Sequence, residues 1–145
     1  MAANLKFKKL DSSAKEPSRP RESDAGIDLF ALRRQKIASG NRELVKTGYA
    51  VAIPDGYYGQ LEEPSGFAIR NTAKLKGGVI DSEYRGELLV ILQNCGDYPV
   101  DIDAGDKIAQ LVIHRQPKVT FTFVDELDET DRGEKGFGSS DKNDK

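Results

Sequence analysis

Apolar and polar residues alternate along much of this chain in short runs separated by turn residues. Leu5 and Phe7 alternate with Lys6 and Lys8, which predicts a half-buried strand, before a polar stretch over residues 11–21 broken by Pro17 and Pro20. In SDAGIDLFAL, Asp28 stands between Ile27 and Leu29, so a strand there turns its carboxylate opposite to its apolar neighbours. Ser39, Gly40 and Asn41 mark a turn. The alternating run LVKTGYAVAIP then ends in Pro54-Asp55-Gly56, where proline fixes one dihedral and glycine accepts positive φ. A hairpin is expected, its second strand over residues 57–61. Helix signals gather in EEPSGFAIRNTAKL: Ser65 is a candidate N-cap, and Ala68, Ala73, Lys74 and Leu75 favour helix.

Residues 77–94, GGVIDSEYRGELLVILQN, form the stretch richest in chemistry. Val79 and Ile80 end one strand, Leu88 to Leu92 form the next, and the polar turn between them contains Gly86, which predicts a hairpin with a polar tip. NCGDYP is a turn, Val100 and Ile102 alternate with Asp101 and Asp103, and Ala104-Gly105-Asp106 turns into the apolar run IAQLVI, interrupted by Gln110. Val119, Phe121 and Phe123 alternate with Thr120 and Thr122 in an expected last strand, followed by an acidic segment over residues 125–131. Beyond it, RGEKGFGSSDKNDK has one aromatic and no other apolar residue, so burial cannot offset the cost of ordering its backbone. Many short strands at ~8–12-residue spacing with one short helix predict an all-β sandwich or barrel.

A length of 145 residues fits one domain, which at this size buries about 68–70% of its unfolded surface. A formal net charge of -2 offers no global positive field for nucleic acid, so any phosphate recognition must be local. One cysteine, Cys95, and one histidine, His114, supply neither an internal disulfide nor a structural zinc ligand set. The absence of a signal-peptide pattern or of ~18 consecutive apolar residues leads to the expectation of a cytoplasmic protein without membrane partners, or a nuclear one if eukaryotic.

Four places carry candidate chemistry. Asp81 stands where an apolar strand gives out, partly shielded and able to hold a water, the position of a general base; alternatively it closes its own turn. Asp28 either holds magnesium through water or faces solvent on an edge strand. Ser65 and Gly66 at a helix start present unpaired N–H groups to an anion, or simply cap the helix. Gln110 is a ligand or a satisfied polar group of the core.

Five stretches, in order, decide among these: DAGIDL, PSGFA, GVIDSEYRGE, GDKIAQLVI and RGEKGFGSS resemble the five motifs of the trimeric deoxyuridine triphosphatase (dUTPase) family. The resemblance implies a distorted jelly roll, a homotrimer with sites at subunit boundaries, and magnesium-assisted hydrolysis of dUTP to dUMP and pyrophosphate. Such a reaction limits uracil incorporation into DNA and supplies dUMP for thymidylate synthesis. It also implies roles: Asp81 holds the attacking water, Asp28 sits near the Mg2+, and Ser65, Gly66 and Gln110 contact phosphates. Tyr84 packs on the deoxyribose and leaves no space for a 2′-hydroxyl, and the backbone around Gly78 and Val79 selects the base. Arg132 meets the terminal phosphate and Phe137 stacks on the base. With Gly138 and Ser139 they belong to an arm, residues 132–145, that closes over a β domain of residues 1–131.

The chain departs from the family pattern at Lys135, at Ser140-Asp141 and above all at Glu63-Pro64, where Pro-Arg is usual. Loss of that arginine is expected to cost roughly 10 to 100-fold in rate, with Arg70 too far along the expected helix to replace it. Exchanging Glu63→Pro and Pro64→Arg is then expected to speed the enzyme. Arg85 and Asp106 are read as structural charges at turns, with mutual pairing as one arrangement. A dCTP deaminase of related fold, or a catalytically weakened binding or regulatory protein, stays open beside the dUTPase reading.

Overall fold

A computed structural model describes residues 2–66 and 72–138. Ten strands follow one another: β1 (Lys6–Lys9), β2 (Gly26–Phe30), β3 (Gln35–Ile37), β4 (Arg42–Ala52), β5 (Tyr57–Glu62), β6 (Ala73–Lys76), β7 (Val79–Ile80), β8 (Glu87–Asn94), β9 (Val100–Ile102) and β10 (Lys107–Arg115). They form two four-stranded sheets, ordered β1-β4-β8-β6 and β2-β10-β5-β7, and a two-stranded ribbon β3-β9. Every pairing is antiparallel. The all-β architecture expected from the turn spacing is what forms, and it is jelly-roll-like, as the family resemblance implies.

Alternation decides which face of each strand is buried. In β8, Leu88, Val90, Leu92 and Asn94 point inward and the residues between them are half-buried. They meet Leu29 of β2, Val45, Tyr49 and Val51 of β4, Leu61 of β5, and Ile108 and Leu111 of β10 in one core cluster. Two inward polar groups are satisfied: the Thr47 hydroxyl donates to Leu88 O at 2.7 Å, and the Asn94 amide donates to Ile37 O and Tyr98 O. Tyr49 is 1% exposed and accepts a hydrogen bond from Phe30 N, while burial pushes its phenol up to about 12. A bulge lies between Lys46 and Ala50 and contains Gly48, whose φ is 82° and where an added Cβ would come within 2.8 Å of the Ala14 Cβ, so no side chain is admitted.

Several expected elements differ. The turn before β5 closes as its sequence demands, with Tyr57 N donating to Pro54 O and Gly56 at φ 83°, yet β4 and β5 are not hairpin partners. β4 bonds to β1 and β8, whereas β5 bonds to β10 and β7. The same holds for the central stretch: β7 bonds to β5 and β8 to β4 and β6, so residues 81–86 pass from one sheet to the other. Alternation specifies the buried face of a strand and says nothing about which neighbour it bonds.

Ala73, Lys74 and Leu75, good helix formers, are in strand β6, because the edge of β8 offers them a ladder and the core takes Ala73. Tertiary pairing overrides a propensity worth only tenths of a kcal/mol per residue. Ser65 and Gly66 do begin a helical turn; the rest of the expected helix falls in residues 67–71, outside the described residues. β1 forms but is exposed throughout, with Phe7 resting edge-on against Tyr49. The expected last strand does not form: Val119, Phe121 and Phe123 lie in irregular chain, 76%, 85% and 98% exposed, since no strand edge among the described residues pairs with them. No helix among the described residues is long and apolar enough to cross a membrane.

Candidate functional site

The sheet β2-β10-β5-β7 collects the predicted residues into two groups. In the first, β10 lies between β2 and β5, so Gln110 faces Asp28 on one side and Glu62 on the other. The turn Glu63-Pro64-Ser65-Gly66 leaves β5 at that point and returns to Gln110, whose Nε2 donates to Glu63 O at 3.3 Å. The side chain of Gln110 is wedged on its other flank, where a Cβ added to Gly26 would lie 2.6 Å from its Oε1. Asp28, Gln110, Ser65 and Gly66, distant in sequence, thus share one end of the sheet, with the Ser65 side chain exposed.

The second group surrounds Asp81. β7 bonds to β5 through Gly59↔Ile80 and Gln60↔Val79, so the chain at Asp81 runs away from Glu62. At a rise of ~3.4 Å per residue, Asp81 lies roughly 14 Å along the sheet from the first group. Gly78 has φ 128°, its O accepts from Leu61 N at 2.8 Å, and a Cβ there would press within 3.1 Å of the Leu61 carbonyl. That close approach sets the backbone of Gly78 and Val79 against β5 and leaves Val79 62% exposed.

Asp81 is exposed and its O accepts from Tyr84 N at 3.1 Å, a tight turn made through the backbone while the carboxylate stays in solvent. Tyr84 donates its hydroxyl to Glu87 O at 2.8 Å, which lays the ring across Gly86. Arg85 donates to Ser82 O and Tyr84 O, and Asp106 accepts from Asp103 N, so these charges close two separate turns and do not pair with each other.

Asp28 is 13% exposed on its side chain, and Lys107 Nζ stands 3.0 Å from its Oδ2. Among the described residues no cluster of three or more acidic, histidine or cysteine side chains could cage a metal. One carboxylate fits a Mg2+ that arrives with phosphate oxygens and water already on it, which is how Mg2+ is commonly held. It does not fit a metal held by protein alone.

Arg132, Phe137 and Gly138 are exposed in a segment of turns: Arg132 Nε donates to Lys135 O at 2.8 Å, and Phe137 and Gly138 both take positive φ. Ser139 lies outside the described residues. Among the described residues this segment has no hydrogen bond to either group.

Two residues that sequence reasoning passed over hold the first group together. Lys107 neutralises Asp28 and sits in GDKIAQLVI, the stretch singled out for Gln110, where its charge was a visible signal. Glu63, noted only as a departure, turns its carboxylate back onto β6, where Oε1 accepts from Leu75 N at 2.8 Å and Oε2 stands 3.7 Å from Lys74 Nζ. Pro64 is buried. The exchange Glu63→Pro with Pro64→Arg, expected to restore rate, would therefore delete the side-chain acceptor of the Leu75 N–H and place a guanidinium in a buried position.

Comparison with known proteins places these features in a family. The dUTPase family profile matches residues 12–141. The deoxyuridine 5'-triphosphate nucleotidohydrolase of Corynebacterium glutamicum is 43% identical over 143 residues, spanning 97% of this chain and 96% of that protein. Among solved structures, a mutant dUTPase of Staphylococcus bacteriophage 80alpha with dUpNHpp superposes with a TM-score of 0.88 at 30% identity, over 94% of this chain and 98% of that one. The dUTPase from phage phi11 of S. aureus, described with a structural Mg(II) ion, gives 0.80 at 27% identity over 86% and 98%.

Proposed function

The chain belongs to the dUTPase family, and from that premise we infer how its residues divide the hydrolysis of dUTP to dUMP and pyrophosphate. The separation of two groups on one sheet carries the reading, since each holds half of what the reaction needs. The first group, Ser65, Gly66, Gln110 and Asp28, receives the triphosphate. The second presents Asp81 to water, with Tyr84 for the sugar and the backbone of Gly78 and Val79 for the base.

Asp81 accepts a proton from the water that attacks the α-phosphorus in line with the departing pyrophosphate. Phosphoryl transfer of this kind demands positioning and charge neutralisation more than covalent help. Asp28, paired with Lys107, would hold a Mg2+ arriving with the substrate through water, and that ion would supply part of the charge neutralisation. Tyr84 lies flat against the deoxyribose and rejects a 2′-hydroxyl by contact.

Asp81 must come within hydrogen-bond reach of water at the α-phosphorus, yet the phosphate-binding group of its own chain lies roughly 14 Å along the sheet. This supports a homotrimer in which one subunit's Asp81 group faces another's phosphate group. The exposed run Val119, Phe121, Phe123 and Leu127 supports the same assembly, because apolar side chains of this size left in solvent indicate a covering surface. From that run the arm, residues 132–145, reaches over a bound nucleotide with Arg132 on the terminal phosphate, Phe137 on the base, and Gly138 and Ser139 beside them, leaving residues 1–131 as the folded β domain.

Asp81→Asn tests the assignment. It should bind a non-hydrolysable dUTP analogue as the parent does and lose ~10² to 10⁴-fold in turnover, the usual worth of general-base assistance. Undiminished turnover in that variant removes Asp81 from the mechanism.

A further inference from the structure

Glu63 occupies an unusual place for a carboxylate next to a phosphate-binding turn. Its Oε1 accepts the Leu75 N–H at 2.8 Å, on the edge of β6 that β8 does not use, and so supplies an edge strand with an acceptor. Its main-chain carbonyl accepts from Gln110 Nε2. One residue thereby connects the end of β5 to β6 in the opposite sheet and to β10 beside it. Because Pro64 follows, the backbone of Glu63 is confined to extended conformations, and Pro64 itself is buried. The connection holds Leu75 against Glu63, the residue from which Pro64, Ser65 and Gly66 follow.

The consequence for Gln110 is geometric. A glutamine amide has two N–H donors. With one committed to Glu63 O and the side chain wedged beside Gly26, the second is aimed by the fold before any ligand arrives. We propose that Glu63 is a positioning residue for the triphosphate: its carboxylate anchors the Ser65-Gly66 turn to β6 and, through its own carbonyl, orients the Gln110 amide. The proposal rests on the dUTP reading above. It also assigns a purpose to the carboxylate that stands beside Pro64, the position where an arginine was expected, since Glu63 acts through Ser65, Gly66 and Gln110.

The hydrogen bond to Leu75 N carries the effect; the ion pair does not. Lys74 and Glu63 are 48% and 27% exposed on their side chains and 3.7 Å apart, the kind of pair that contributes little. Calorimetric titration with the dUTP imido analogue and Mg2+, and separately with dUMP, distinguishes positioning from general loosening.

Glu63→Ala should weaken the analogue about tenfold while leaving dUMP within about twofold, because dUMP lacks the β- and γ-phosphates. Glu63→Gln, which keeps the acceptor oxygen, should recover most of that loss, and Lys74→Met should match the parent within about twofold. Thermal melting establishes that each variant is folded. A folded Glu63→Ala that binds the analogue like the parent, one that loses both ligands equally, or a Glu63→Gln no better than Glu63→Ala would overturn the proposal. Absence of dUTP turnover in the parent protein overturns the dUTP reading and this one with it, whereas parental turnover beside an unaltered Glu63→Ala overturns this one alone.

Discussion

Gly86→Ala isolates the role of Tyr84 without touching its chemistry. A Cβ at position 86 would lie 2.5 Å from the Tyr84 Oη, 2.7 Å from Cζ and 3.0 Å from Cε2, so the ring cannot stay where it is. Gly86 does not adopt positive φ, so alanine brings no backbone strain and the contact is the whole perturbation. Tyr84 is 42% exposed and has open solvent to swing into. It does so by giving up the hydrogen bond to Glu87 O, worth about 0.5–1.5 kcal/mol. At ~1.4 kcal/mol per factor of ten, a ring pushed off that bond by the contact loses at least the roughly 2 to 13-fold preference the bond gives its sugar-facing place.

Steric rejection of a 2′-hydroxyl requires the ring in place. The ratio of kcat/KM for dUTP over UTP should therefore fall by a similar factor, read from pyrophosphate release with each nucleotide alone. Tyr84→Phe keeps the ring and removes only the hydroxyl, so it should lose less of the ratio than Gly86→Ala. A folded Gly86→Ala with the parental ratio would refute the placement of Tyr84 against the sugar.

Three further outcomes are expected. Ending the chain after Asp131 should preserve the melting temperature and abolish most activity, because residues 132–138 are exposed and, among the described residues, hydrogen-bond only among themselves and to Thr130; full activity would show the arm idle. Glu63→Pro with Pro64→Arg should lower the melting temperature with no gain in kcat/KM, since it removes the acceptor of Leu75 N and buries a charge; a faster and equally stable double variant contradicts this. Tyr49 stays protonated in the folded state up to about 12 but ionises near 10 when unfolded, so its contribution is complete below pH 10 and is lost as pH rises from there towards 12. Denaturation midpoints should drop across that window in the parent and drop less in Tyr49→Phe; equal drops would assign the loss to other groups.

The sequence made some features legible for a physical reason. Burial leaves a period-two trace, so β8 and β10 were readable, as were the turns at Gly40, Gly56 and Gly105, each at positive φ. Pairing leaves no comparable trace. The apolar face of β7 is the same whether it bonds to β8 or to β5, and only the closed sandwich decides for β5. Val119, Phe121 and Phe123 show how a strand pattern persists where the subunit provides no edge for it. At the site, motif resemblance named Asp28 and Gln110, but their adjacency comes from the register of β2 and β10. Glu63 was illegible in a different way: a side chain bonded to a backbone N–H needs no particular residue at position 75, so nothing in the sequence marks the partner.

The account stands most directly on what the protein releases from which nucleotide. With Mg2+ and dUTP, dCTP, dTTP or UTP supplied separately, pyrophosphate and ammonia are measured together. The account predicts pyrophosphate from dUTP well in excess of the other three, and no ammonia from any of them. Ammonia from dCTP, or no pyrophosphate from dUTP by a folded, nucleotide-binding protein, would contradict it.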